Sequence, residues 1–324
     1  MRVITLFLTL WTYLSAMDNN LYPYADFYRQ EGIDTLEKRL DHILTTKEFW
    51  KQKIGDSNVT LGWYEKPLDI LACKKSDKRL TLYHFDGKQY SVKLKIPIVI
   101  GRRNGDKQRQ GDLKTPVGIY RIIEKKRDVD PFYGPLAFVT NYPNPLDKTL
   151  GKNGNGIWLH GFPPNCPDKN STKGCIASPN TELLSLDKNL TDHKSSLLMI
   201  SQDKIPPVSR ENIINILSFI YSWRYDWKYN RLNEYLSYYN SNLKSSIGDF
   251  ESFKKHKTYI FAKQQNKEIL FYNIQITPYP NTLGKKIWRV NMKEKYFSNN
   301  YKFNGTKLLY IIQEGDKFKI WREF

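Results

Sequence analysis

Residues 158–180 place a histidine and a cysteine at the two ends of one polar loop, and this segment constrains the fold more than any other. It reads WLHGFPPNCPDKNSTKGCIASPN. The apolar residues before His160 predict a short strand that ends at the histidine, and fourteen residues separate His160 from Cys175. Because those residues are rich in Pro, Asn, Lys and Gly, we expect a loop that folds His160 back towards Cys175.

A glycine stands beside each of the two reactive side chains. Gly161 follows His160, and Gly174 precedes Cys175. Glycine permits a tight turn and lets backbone N–H groups point at a developing oxyanion, so Gly174 and Cys175 are the expected oxyanion donors. A cysteine attacks as the thiolate, and a neighbouring histidine can act as its base or ion-pair partner. The pattern predicts acyl transfer through Cys175.

The N-terminus has the composition of an export signal. Arg2 precedes an apolar stretch over residues 3–14, and Ser15-Ala16 supplies a small-residue cleavage point, so residues 1–16 are predicted to be a signal peptide. The apolar stretch is shorter than the about 20 residues of a membrane-spanning helix. A buried N-terminal helix is the alternative. We expect a periplasmic protein with no membrane span.

Residues 17–60 are predicted to form a helical extension. Leu36, Leu40, Ile43 and Leu44 recur at helical spacing. Such an apolar stripe most often packs on its own chain. A homodimer formed through these helices is the alternative.

Residues 61–204 are predicted to form a mainly-β domain. Alternating runs at 79–85 and 90–96 flank Asp86-Gly87 and predict a hairpin. Further strands are expected at 97–101, 115–120 and 197–200, and a helix at 180–190. The remaining segments, 102–114 and 133–155, predict loops around the site.

Residues 208–324 differ in composition and follow the linker Pro206-Pro207. Two helical stripes, one capped by Ser209 and one over 232–239, precede a series of strands. These are expected at 257–262, 268–277, 286–297, 307–313 and 317–322. Helices followed by antiparallel strands favour an α+β unit with helices on one face of a curved sheet. The whole chain is therefore predicted to be a multidomain α+β protein.

The charge and the cysteines exclude several classes of protein. The formal charge is +18, but Lys, Asn, Tyr and Ile are all abundant, as an AT-rich genome would produce, and no run of like charges predicts nucleic-acid binding. The three cysteines leave at least one unpaired, and Cys175 must be free to react. A Cys73–Cys166 bridge is not favoured, whereas a Cys166–Cys175 disulfide would silence the site reversibly. Metal-binding spacings are lacking, so neither a metal nor a cofactor is expected.

Three motifs in fixed order resemble the L,D-transpeptidase (YkuD) family. They are Thr115-Pro116-x-Gly118-x-Tyr120, His160-Gly161 and Thr172-Lys173-Gly174-Cys175-Ile176, and Asn180 occupies the place of the family's asparagine five residues after the cysteine. The match covers roughly residues 68–201. The resemblance implies that Cys175 is the nucleophile, that His160 is the base, and that the Gly161 carbonyl orients the imidazole in place of an acidic side chain.

The substrate-binding side chains are expected around the same loop. Lys114, Thr115 and Trp158 are predicted to line the cleft, together with Thr172, and Asn180 to brace the segment after Cys175. Lys173 and Ala177 stand where the family usually has His and Arg. We expect these two positions to decide the substrate preference.

The last third of the chain resembles the NTF2-like fold. The helical run W-x-x-x-W…L-x-x-Y-L-x-x-Y begins at Trp223, and Trp321-Arg-Glu323 closes the chain. The full layout is similar to that of the cell-shape L,D-carboxypeptidases of Campylobacter- and Helicobacter-type bacteria. It implies removal of the terminal D-Ala from tetrapeptide stems of peptidoglycan muropeptides. Cross-linking by an L,D-transpeptidase is the first alternative, and a non-catalytic wall- or glycoprotein-binding module is the second.

Overall fold

The computed structural model describes the backbone of residues 2–164 and 170–324, and the side chains of these ranges from residue 21 onward. Cys166 lies outside the described residues. The helices are α1 (Arg2–Ile43), α2 (Lys47–Ile54), α3 (Pro145–Thr149), α4 (Asn180–Asn189), α5 (Arg210–Lys228), α6 (Leu232–Ser237) and α7 (Phe250–Ala262). The strands are β1 (Trp63–Tyr64), β2 (Leu68–Lys74), β3 (Arg79–Phe85), β4 (Tyr90–Pro97), β5 (Gly118–Lys126), β6 (Ala137–Thr140), β7 (Trp158–His160), β8 (Ile176–Ala177), β9 (Leu197–Ser201), β10 (Tyr239–Ser245), β11 (Gly248–Asp249), β12 (Lys267–Pro278), β13 (Lys286–Ser298), β14 (Tyr301–Glu314) and β15 (Lys317–Glu323).

Residues 68–201, here called the catalytic half because they hold the predicted site, form an eight-stranded mixed sheet. Its strand order is β4-β3-β2-β9-β5-β6-β7-β8. Both of its faces are covered. Along β9, Leu198 and Ile200 join the core of the catalytic half, whereas Leu197 and Met199 face the C-terminal half. A strand buried on both faces needs a continuous apolar run, which is why residues 197–200 lack polar alternation. The short strands β7 and β8 lie at one edge and carry the His160 and Cys175 motifs.

Residues 208–324 are here called the C-terminal half. In this half the antiparallel strands β12 to β15 curve around α5, α6 and α7. Ser209 caps α5, as the sequence predicts, and it forms a capping box with Asn212. The predicted strand at 257–262 is wrong, because these residues belong to α7. Asp249 caps that helix, and Phe253 and Phe261 both point into the core. Burial of that face outweighs the strand propensity of the β-branched and aromatic residues. The α+β architecture as a whole is confirmed.

The two halves share a core. Strand β1 pairs with β12, so residues just ahead of the catalytic sheet extend the C-terminal sheet. One apolar cluster joins Ile70 and Met199 of the catalytic half to Tyr279 and Trp321 of the C-terminal half. Elements that share buried apolar surface are stabilised together, so we expect the two halves to unfold as one unit.

The N-terminal extension packs on the C-terminal half through α5. Asp41 accepts hydrogen bonds from Arg224 (2.8 Å), Lys228 (2.6 Å) and Tyr229 (2.9 Å). Trp50 of α2 lies against Tyr221, with ring centroids 4.8 Å apart. Gly32, at φ +78°, breaks α1 into two helical segments. Among the residues with described side chains, we find no helix with the length and hydropathy needed to cross a membrane.

Candidate active site

His160 and Cys175 lie on adjacent parallel strands. His160 ends β7 and pairs with Ala177 of β8, and Cys175 immediately precedes β8. Cys175 therefore lies in the segment that enters β8, two residues before the residue that pairs with His160. The structure therefore brings together the two ends of the loop that defines the sequence motif.

The imidazole of His160 is held by backbone and by an aromatic ring. Its Nδ1 atom lies 2.6 Å from the carbonyl oxygen of Gly161, and the side chain is only 4% exposed. The ring of Tyr133 packs edge-on against it, with centroids 5.1 Å apart. The carbonyl of Tyr133 also accepts the Gly161 N–H at 2.8 Å. These contacts fix the plane of the imidazole.

The thiol of Cys175 is partly buried and points at backbone. Its Sγ atom lies 3.3 Å from the carbonyl oxygen of Gly156. Burial raises the pKa of the Cys175 thiol, and the backbone N–H of Trp158 and the charge of Lys107 lower it in part. The thiolate therefore needs help from its surroundings to form at neutral pH.

Lys107 supplies that positive charge from a buried position. It is 4% exposed, and its ammonium donates to Asp112 at 2.8 Å and to the Arg109 carbonyl at 3.1 Å. Burial acts to raise the pKa of Asp112, but the Lys107 hydrogen bond and three backbone N–H groups outweigh it and lower the pKa to about 2. The loop over residues 102–114 is thus folded around an ionised Asp112 carboxylate, which holds Lys107 in place.

Two threonine hydroxyls shape the turn that ends at Cys175. Thr115 accepts the Gly101 N–H (2.8 Å) and donates to the Gly174 carbonyl (2.9 Å). Thr172 donates to the Cys175 carbonyl (2.7 Å) and accepts the Gly174 N–H (3.0 Å). The predicted role of Gly174 as an oxyanion donor therefore needs correction, because its N–H already has an acceptor. The Cys175 N–H remains the expected donor.

Asn180 braces the turn after His160. Its Oδ1 atom accepts the Phe162 N–H at 2.8 Å, and its Nδ2 atom donates to the Phe162 carbonyl at 3.1 Å. A Cβ atom on Gly161 would lie 2.1 Å from Asn180 Oδ1, and one on Gly134 would lie 2.5 Å from it. Both glycines are needed so that the amide can approach the backbone this closely.

The other predicted substrate-binding residues fall into two groups. Lys173 is exposed, and Lys114 and Trp158 are half-buried, so they are open to a ligand. Thr115 and Ala177 are 0% exposed, and Ala177 packs against Val99 and Phe162. Any effect of Thr115 and Ala177 on substrate must act through the residues they support.

No sequence pattern indicates Lys107, Tyr133 or Gly156 as residues of the site. Lys107 and Tyr133 lie in segments predicted only as loops, and the contact of Gly156 with Cys175 joins residues that are 19 positions apart in sequence. Asp112 does carry a sequence signal, because an aspartate in a turn-rich segment often accepts hydrogen bonds from neighbouring backbone N–H groups.

The C-terminal half contains a separate cavity of 670 Å³, here called the C-terminal cavity. Its lining includes Trp227, Lys257, Glu294, Tyr296 and Lys307. Lys307 pairs with the buried Glu323 at 3.0 Å and Glu294 at 3.5 Å. Burial lowers the pKa of Lys257 to about 8. The cavity combines cations, carboxylates and aromatic faces, which suits a polar ligand with charges of both signs.

Comparison with known proteins identifies the class to which this fold and site belong. Residues 69–195 match the L,D-transpeptidase catalytic domain (YkuD) family, and residues 215–324 match the Cds6 C-terminal NTF2-like domain. The chain belongs to the YkuD L,D-transpeptidase family and carries an NTF2-like C-terminal domain.

Solved structures of two proteins match along most of the chain. The helical cell shape determining protein Pgp2 from Campylobacter jejuni is 36% identical, with 86% of this chain and 99% of Pgp2 covered at a TM-score of 0.81. Bd1075 from Bdellovibrio bacteriovorus is 26% identical, with 82% and 96% covered at a TM-score of 0.66. The YafK protein of Escherichia coli K12 is 35% identical over 89 residues, and the chain spans about a third of this curated relative (35%).

Proposed function

We propose that this protein is a peptidoglycan L,D-carboxypeptidase that removes the terminal D-Ala from tetrapeptide stems and thereby affects cell shape. The arrangement of Cys175 beside His160, with the imidazole oriented by the Gly161 carbonyl, carries the proposal. The similarity to Pgp2, a protein named for determining helical cell shape, supports the cellular role. Peptidoglycan muropeptides are then the substrates.

The first half-reaction forms a thioester on Cys175. The thiol transfers its proton to His160, and Sγ attacks the carbonyl carbon of the bond that joins the third stem residue to D-Ala. The Cys175 N–H stabilises the oxyanion of the tetrahedral intermediate. When the intermediate collapses, the C–N bond breaks, His160 returns the proton to the leaving amine, and D-Ala departs.

The second half-reaction releases the tripeptide. A water molecule attacks the thioester while His160 accepts its proton, and the thiol of Cys175 leaves with that proton. An amine acceptor in place of water would give a cross-link, which is the L,D-transpeptidase alternative. Incubation with a defined tetrapeptide muropeptide separates the two: tripeptide and free D-Ala support the carboxypeptidase, and a cross-linked dimer supports the transpeptidase.

The C-terminal cavity favours a second, non-catalytic role in binding wall peptides or glycans. Lys257 faces the aromatic rings of Trp227 and Phe253 at 5.1 and 5.2 Å, and the carboxylate of Glu294 also lines the cavity. Stem peptides carry carboxylates and an amine, and sugar rings stack on aromatic faces. Titration calorimetry of the Cys175→Ala protein with muropeptides, with and without Lys257→Met, tests this role: equal affinity of both proteins would refute it.

Export and self-association belong to the same proposal. A signal peptide over residues 1–16 would deliver the enzyme to the periplasm, where its substrate lies. Leu21, Tyr24 and Tyr28 are exposed on α1, so a homodimer could form through this segment. Light scattering of the mature protein and of a Leu21→Ser/Tyr28→Ser variant tests it: a monomeric wild type would refute the dimer.

A further inference from the structure

A turn of the C-terminal half, residues 279–282, reaches into the catalytic half next to the active-site loops. The hydroxyl of Tyr279 accepts a hydrogen bond from Asn144 Nδ2 at 2.8 Å, and Tyr279 is buried. The hydroxyl of Thr282 lies 3.4 Å from Asp106 Oδ2. A Cβ atom on Gly118 would lie 2.5 Å from the Tyr279 hydroxyl, so the glycine of the Thr-Pro-x-Gly motif leaves room for a side chain of the other half.

Both contacts converge on a buried ionic cluster formed by Asp106, Lys152 and Asp147. Lys152 lies 2.6 Å from Asp106 and 3.0 Å from Asp147. Asn144 is joined to the same cluster, because it forms the capping box of α3 with Asp147. All of these side chains are buried. Two carboxylates that share one ammonium in the interior need close geometric control, since a buried charge without its partner is costly.

The cluster is connected to two backbone segments that lie against the Cys175 turn from different sides, residues 153–156 and residues 115–117. On one side, Asn153, next to Lys152, is tied to the 102–114 loop by the Asn153 N–H to Gln108 O bond (3.0 Å) and the Gln110 N–H to Asn153 Oδ1 bond (2.9 Å). Three residues further along the chain, the Gly156 carbonyl contacts the Cys175 thiol.

On the other side, Asp106 Oδ1 accepts the Val117 N–H at 2.8 Å. Val117 lies two residues after Thr115, whose hydroxyl donates to the Gly174 carbonyl. Hydrogen bonds and short stretches of backbone therefore connect the cluster to the two segments that contact Cys175 and the residue before it.

We propose that the 279–282 turn of the C-terminal half positions Cys175 through the Asp106–Lys152–Asp147 cluster. Tyr279 and Thr282 are positioning residues, since they touch neither the thiol nor its imidazole partner in any of the contacts described. The C-terminal half is then part of the support of the catalytic site. The inference rests on the proposed function only for its turnover measurement, because the reactivity of Cys175 can be measured without a substrate.

A pair of matched double variants of the full chain tests the inference. Tyr279→Phe/Thr282→Val removes one tyrosine and one threonine hydroxyl from the turn. Tyr64→Phe/Thr277→Val removes the same two groups from a hydrogen bond (3.3 Å) elsewhere at the junction of the two halves. Alkylation of Cys175 by iodoacetamide is followed by mass spectrometry of the tryptic peptide 174–188, and turnover of a tetrapeptide muropeptide gives kcat and KM.

We expect the turn variant to slow Cys175 alkylation and kcat by about five- to tenfold with KM nearly unchanged, because small displacements of a reacting group are costly. The control should stay within about twofold of the wild type at a similar Tm. Wild-type alkylation in the turn variant, or equal losses in both variants, would overturn the inference. If the turn variant is too unstable to assay, Thr282→Val is compared with Thr277→Val by the same criteria. Slowed alkylation without turnover in any protein, the wild type included, would support positioning and refute the proposed function.

Discussion

The Nδ1 atom of His160 lies 2.6 Å from the carbonyl oxygen of the next residue, Gly161. A carbonyl only accepts hydrogen bonds, so Nδ1 carries the proton of the neutral imidazole and Nε2 is left as its basic nitrogen. The backbone carbonyl of Gly161 thus orients the imidazole, as an acidic or amide side chain does in catalytic triads. The tautomer needed for a general base is fixed by the turn at Gly161.

The first prediction concerns the space beside Gly161. Gly161→Ala should lower stability by about 1–3 kcal/mol, because the new Cβ atom overlaps the Asn180 amide. Urea denaturation measures the change. In an Asn180→Ala background the same substitution should cost less, since the overlapping oxygen is gone. Equal costs in the two backgrounds would show that the amide is not the obstacle.

The second prediction concerns the pH dependence of Cys175. The thiolate is the reactive form, burial raises the thiol pKa, and Lys107 opposes that rise. Lys107→Met removes a positive charge, so the thiol pKa should rise further and the alkylation profile should move to higher pH. Lys107→Arg should keep the wild-type profile.

Two controls separate this effect from others. The exposed Lys173→Met variant should leave the profile nearly unchanged, because solvent screens its charge. The alkylation profile of His160→Gln is measured in parallel, so that the contribution of the imidazole to the pH dependence is known separately. A Lys107→Met profile that coincides with the wild type would contradict the role assigned to Lys107.

The third prediction concerns the anchor of the N-terminal extension. Asp41→Asn should cost about 3–5 kcal/mol, because Arg224 remains buried without its carboxylate and Lys228 keeps only the exposed Glu37. Asp26→Asn, which breaks an exposed pair with Arg29, should cost about 0–1 kcal/mol. Chemical denaturation at neutral pH gives both values, and similar costs at the two positions would argue against a buried anchor.

The same anchor predicts an acid dependence. Burial acts to raise the pKa of Asp41, but the charge of Arg224 and hydrogen bonds from three side chains hold it below its ordinary value of 3.8. Its stabilising contribution is therefore complete above that value and is lost as the pH falls through the folded pKa. The stability of Asp41→Asn should fall less steeply than that of the wild type below pH 3.8.

The sequence was sufficient for features that depend on local pattern. The helix cap at Ser209, the hairpin around Gly87 and the His160–Cys175 motif all follow from residue type and spacing. The strand prediction for residues 257–262 is wrong because Thr258, Tyr259 and Ile260 favour strands. The helix is stabilised by the burial of Phe253 and Phe261, which local propensity does not reveal.

Parts of the site were beyond the sequence because they depend on distant contacts. The Gly156 carbonyl contacts the Cys175 thiol 19 residues away, and the Thr115 hydroxyl donates to the Gly174 carbonyl 59 residues away. The contact of Tyr279 with Asn144 joins residues 135 positions apart. Residue spacing along the chain contains no signal for such pairs.

Hydrolysis through a thioester at Cys175 is the step on which the proposed function depends most. Wild type and Cys175→Ala are incubated with a purified tetrapeptide muropeptide in water enriched with heavy oxygen, and the products are weighed by mass spectrometry. We predict equal amounts of free D-Ala and tripeptide from the wild type, with one heavy oxygen in the tripeptide and none in D-Ala, and no product from Cys175→Ala. Cross-linked dimer without tripeptide, or tripeptide formed by Cys175→Ala, would contradict the account.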